Sequence, residues 1–78
     1  MKIKDYLTET VKYKLGDIIE YISMGGERRI VKIVNTEKNI KKGYPGFDGD
    51  EVDPKTFKPT GETYWGYDDQ ILKVVKKK

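Results

Sequence analysis

The 78-residue chain contains no cysteine and no histidine, only three prolines and a single tryptophan. Without cysteine no disulfide staples the fold, and without either residue the usual ligands of zinc and other transition metals are missing. The same two absences remove the commonest means of activating a nucleophile. No apolar run approaches the roughly 20 residues that cross a bilayer as a helix. The opening Met1-Lys2-Ile3-Lys4-Asp5-Tyr6-Leu7 lacks the apolar stretch of a signal peptide. These features predict a cytoplasmic protein that carries no metal or cofactor and has no membrane partner. The length suits one domain, a monomer or weak dimer, held together by packing alone.

Charge, by contrast, is abundant and sorted along the chain. Residues 1–46 carry ten basic and six acidic side chains, residues 47–71 two and seven, and residues 72–78 four lysines with no acid. The net charge of +3 therefore conceals a basic, an acidic and a second basic block. A protein that grips nucleic acid over its whole surface is more evenly basic, so any such ligand has to follow one face.

Strand signals start at Gly16-Asp17, which leads into Ile18-Ile19-Glu20-Tyr21-Ile22, a β-branched and aromatic run of strand length. Gly25-Gly26 supplies a tight turn before a second strand, Arg28 to Val34. Asn35 to Gly43 reads as one or two helical turns, capped by Asn35 or Thr36 and stopped by Gly43, with Lys38, Lys41 and Lys42 on one face. Tyr44-Pro45-Gly46-Phe47 then has the residues of a type II turn. Residues 47–53 and 63–67 form a second hairpin with a long tip at 54–62, Asp68-Asp69-Gln70 a single 3₁₀ turn, and Ile71 to Val75 a closing strand. The fold class expected is all-β, a small SH3-like five-stranded barrel with a 3₁₀ turn before the last strand. Residues 1–12 are an arm, 13–75 the barrel and 76–78 a basic tail. An OB-fold competes, but it needs longer strands and a helix between the third and fourth.

The segments Gly16 to Tyr21, Asn39 to Gly49 and Trp65 to Ile71 (a Gly-Asp strand start, a lysine-rich Pro-Gly loop and a Trp-Gly-Tyr-Asp-Asp-Gln-Ile ending) resemble short bacterial and bacteriophage proteins. The resemblance spans roughly residues 13–75 and implies an SH3-like barrel, acting in the host cytoplasm if phage-encoded. The first segment also resembles the opening of KOW and Tudor-type barrels. No activity is established for the group, so no residue role transfers from it.

Catalysis has little to work with. Ser23 sits beside a Gly-Gly turn, where serine is ordinary turn chemistry, and no pocket is evident that would tune Asp48, Asp50, Glu51 or Asp53 as an acid/base pair. The same carboxylates miss the register of a calcium loop, because Val52 stands where a ligand is needed. A non-catalytic binding module is the expectation. Nucleic acid is the first candidate ligand: Arg28, Arg29, Lys32, Lys38, Lys41 and Lys42 would meet phosphates and Tyr44 would stack on a base. The alternative is a protein partner, bound by Tyr64, Trp65, Tyr67, Asp68, Asp69 and Asp50 of the acidic, aromatic second hairpin. Core packing competes for the rings, with Tyr21 and Phe47 expected inside.

Overall fold

The computed structural model describes residues 11–78; the arm expected at 1–12 lies mostly outside them. Five strands form one antiparallel sheet: β1 (Ile18–Ile22), β2 (Arg28–Lys41), β3 (Tyr44–Val52), β4 (Pro59–Tyr67) and β5 (Ile71–Lys76). A 3₁₀ turn at Asp68–Gln70 separates the last two, as the short polar run predicted. The spatial order is β4-β3-β2-β1-β5, so the final strand returns to pair with the first. The sheet is open, with β4 and β5 as its edges.

The helical turns expected over residues 35–43 are absent. β2 runs straight through them for 14 residues, with a bulge between Ile33 and Asn35. The chain reverses at Lys42 and Gly43, whose φ angles of 56° and 82° are both positive. Two consecutive positive φ values between paired residues Lys41 and Tyr44 make the two-residue loop that suits the twist of a hairpin. Tyr44 to Phe47 is consequently strand and not a type II turn.

Alternation along each strand separates two faces. The inner face gathers Ile19, Tyr21, Val31, Ile33, Phe47 and Ile71 into one buried cluster, joined at its margin by Val11, Tyr13, Tyr64 and Val74. Phe47 lies at its centre, met edge-on by Tyr21 at 5.1 Å and Tyr13 at 6.2 Å between ring centroids. Both rings assigned to the core from sequence, Tyr21 and Phe47, are buried there. Gln70 ties the 3₁₀ turn down by accepting from the Tyr67 N–H and donating to the Ile22 carbonyl (2.7 and 2.8 Å).

The chain segments on either side of the sheet are clamped by Asp17. Its buried carboxylate accepts the backbone N–H of Lys14 on Oδ2 and that of Lys78 on Oδ1, each at 3.0 Å. The Lys78 N–H, more than any other influence, holds this carboxyl below the usual carboxylate range, helped by the Lys14 N–H and by the lysine charges nearby, against the opposing effect of burial. A carboxyl depressed in the folded state stabilises the fold above its unfolded pKa of about 4, and that contribution disappears as pH falls through the folded value. Urea unfolding midpoints should therefore drop on acidification below about pH 4, and the drop should be shallower in Asp17→Asn. Equal slopes would show that Asp17 is not clamped in this way.

Candidate functional site

β4 places Trp65 and Tyr67 two residues apart, and so on one face, the outer one. Cross-strand pairing sets Asp48 opposite Trp65 and Gly46 opposite Tyr67. Because Gly46 carries no side chain, Tyr67 meets Tyr44 instead, from the position two residues earlier on the same face of β3. The Tyr44 and Tyr67 rings lie 5.7 Å apart at 72°, and Trp65 and Tyr67 5.3 Å apart at 87°. The three rings form a continuous row in which Tyr44 is 60% and Trp65 39% exposed. Perpendicular neighbours leave open edges and slots between them, where a saturated side chain fits more naturally than a stacked base.

Carboxylates border this row. Asp48 stands across from Trp65 and Glu37 across from Gly46. Asp48 and Asp50 line a shallow depression of about 270 Å³ with Val34, Thr63 and Trp65. On its other side Trp65 borders a groove of about 560 Å³ between the turn at residues 23–27 and β4, together with Met24, Arg29, Tyr64 and Gln70. Asp69 is exposed in the 3₁₀ turn directly after Tyr67. Asp68 is already engaged, as the acceptor of a short hydrogen bond from the Tyr13 hydroxyl. Burial and this carboxylate together push the Tyr13 hydroxyl pKa well up, so it stays a donor.

Strand geometry divides the basic residues expected to act together. Arg28 and Lys32 share the outer face, Lys32 pairing with Asp50. Arg29 turns to the other face, where its guanidinium meets Glu27 at 2.6 Å and Glu51 at 3.3 Å and lies 4.2 Å above the Tyr64 ring. Lys38 and Lys42 are exposed toward the far end of the β2–β3 ribbon, Lys38 being about 30 Å along an extended strand from Arg28. Lys41 pairs with Tyr44 in the backbone register at the turn. Of the second candidate group, Trp65, Tyr67 and Asp50 come together on the outer face, whereas Tyr64 points inward under Arg29.

Two other candidates take structural places. Ser23 accepts the Glu27 N–H on Oγ (3.2 Å) within its own turn. The acidic run 48–53 is spread by strand alternation: Glu51 lies on the side of Arg29, and Asp53 Oδ1 caps the hairpin tip through the Lys55 and Thr56 N–H groups. Among the described residues no group of three or more potential ligands is placed to hold a metal ion, and no helix is long and apolar enough to cross a membrane.

Sequence reasoning missed Tyr13. Its signal was present in Val11-Lys12-Tyr13-Lys14, an apolar–basic alternation that puts Val11 and Tyr13 against the core and both lysines outside. Compared with known proteins, the chain matches no family, no curated protein and no solved structure.

Proposed function

We propose that this chain is a non-catalytic protein-interaction module on an SH3-like barrel, and that the Tyr44–Tyr67–Trp65 row receives a cationic peptide segment. The barrel reading is supported by the strand order, by the 3₁₀ turn that directly joins the two edge strands, and by the approach of the β3–β4 tip to the end of β5. There the Lys76 ammonium lies 5.5 Å from the Phe57 ring centroid. The ligand reading rests on one observation: exposed perpendicular rings flanked by Asp48, Asp50 and Glu37. Rings of this kind grip proline and aliphatic side chains, and the carboxylates favour lysine or arginine beside them. The competing reading of a nucleic acid along β2 is weakened, because Arg29 is neutralised on the other face and acidic groups interrupt the outer one.

The lone tryptophan makes the test direct. Titration with a short peptide of alternating proline and arginine should shift Trp65 emission and perturb the amide signals of Tyr44, Asp48, Trp65 and Tyr67. Trp65→Ala should weaken binding by about 2 kcal/mol, roughly thirtyfold, and Asp48→Asn should weaken it at low salt only. An oligonucleotide that perturbs this row while the peptide leaves it unchanged would refute the proposal.

A further inference from the structure

A second constellation lies away from the aromatic row, where both chain segments flanking the sheet meet. Lys12 and Lys14 come from the segment before β1, Lys77 and Lys78 from the residues after β5, and all four are exposed. They line a concavity of about 580 Å³ with Leu15 and Asp17. Among the side chains lining it are four lysines and one carboxylate, Asp17, which is buried and occupied by two backbone N–H groups. The spacing of the lysines is fixed from beneath. Asp17 fastens Lys14 and Lys78 to the same side chain, and the Gly16 N–H donates to the Ile33 carbonyl at 2.8 Å. Gly16 takes a φ of 91°, the left-handed region that favours glycine, and the Lys78 stem packs over it.

Like charges are brought together at a cost in repulsion, and a polyanion removes that cost on binding. Lysines act toward phosphate as mobile point charges, and a concave lining suits a chain of phosphates better than the flat plane of a bilayer. We infer that the Lys12/Lys14/Lys77/Lys78 concavity is a binding site for the phosphate backbone of a nucleic acid, separate from the peptide-binding row. The contact is with the backbone, since lysines meet phosphates as point charges, and is largely sequence-independent. The site uses none of the residues named from the sequence as phosphate contacts: Lys77 and Lys78 of the basic tail join Lys12 and Lys14, more than 60 residues earlier in the chain, at the Asp17 clamp.

The test is fluorescence anisotropy with labelled single-stranded and duplex oligonucleotides of mixed sequence, at several salt concentrations. Replacing Lys12, Lys14, Lys77 and Lys78 by alanine should lower affinity at low salt at least tenfold. The slope of log K against log salt should become less negative by about three. A control variant with Lys42, Lys55, Lys58 and Lys73 changed to alanine carries the same net charge and should bind nearly as the parent does. All eight lysines are exposed, and circular dichroism verifies that each variant folds. The inference is overturned if the two variants lose affinity equally, if the parent binds no oligonucleotide, or if it binds only vesicles containing phosphatidylserine. Loss confined to the first variant, with Trp65→Ala binding oligonucleotide normally, establishes it independently of the peptide site.

Discussion

Phe47→Ala is expected to be severely destabilising. Truncating a buried phenylalanine costs about 3–5 kcal/mol, the lost transfer energy plus the cavity left behind. A 78-residue domain has a total stability of about 4–12 kcal/mol, so one substitution removes a large share of it or all of it. Phe47 is fully buried, and its ring is the part that Tyr13 and Tyr21 both contact. It also lies directly under Gly66, where an added Cβ would come within 2.8 Å of its Cζ. Gly66 itself therefore has no side chain to fill the space. Urea unfolding followed by circular dichroism gives the cost, and Tyr44→Ala is the matching control. Tyr44 is mostly solvated, and its loss should change stability by less than about 1 kcal/mol. Similar midpoints for the two variants would mean that Phe47 is not the centre of the core.

Phe47 and Tyr21 were legible because a small all-β domain needs two or three large rings to fill its core. The two hairpins and the 3₁₀ turn were legible from their punctuation, Gly25-Gly26, the proline-bearing tip and Asp68-Asp69-Gln70, but the tip expected at 54–62 is shorter, because β4 already begins at Pro59. The outer half of β2 has no such signal. Residues 34–39 are all exposed, so neither face of that ribbon imposes a hydrophobic period, and Asn, Lys and Glu have little strand preference of their own. Gly43 added to the ambiguity. A glycine at positive φ ends a helix or closes a hairpin equally well, and the Asn39 side chain accepting its N–H at 2.7 Å resembles a helix-end contact.

The candidate site was half legible for a different reason. Trp65 and Tyr67 were selected as members of a run, and the period of two then kept them together while sending Tyr64 to the other face. The same rule separated Arg29 from Arg28 and Lys32. Adjacency in sequence gathers residues that a strand deals out alternately, so a cluster read from a strand segment survives only at every second position. Of the lysine concavity the basic tail was legible, but its meeting with Lys12 and Lys14 was not, because that depends on a long-range contact between Asp17 and Lys78.

The second large effect separates the two glycines of the β2–β3 connection by asparagine substitution. Were Gly46 the third residue of a type II turn, its φ would be positive and asparagine would be a good replacement. Its φ is not positive; those of Gly43 and Lys42 are. What Gly46 provides is clearance. A Cβ there would stand 2.3 Å from the Ile40 Cγ2 and 2.4 Å from the Gly66 carbonyl oxygen, and a backbone atom of an adjacent strand cannot rotate aside. Gly46→Asn should therefore force β3 and β4 apart and cost at least about 1–3 kcal/mol, the range for overfilling a packed site. Gly43→Asn places its side chain in open space, with nothing within 4 Å. Asparagine tolerates the left-handed region better than other side chains, so that variant should lose less, about 1 kcal/mol or under. Unfolding free energies for both variants decide between turn and clearance, and comparable costs would contradict the clearance role. The emission of Trp65 adds a second readout. Gly66 lies next to it on β4 and Gly46 faces Tyr67, so displacing these strands should disturb the aromatic row in whatever fraction of Gly46→Asn remains folded. Gly43→Asn should leave Trp65 emission unchanged. A peptide site built on that row would then fail with Gly46→Asn and survive Gly43→Asn, although neither glycine offers a side chain to the ligand.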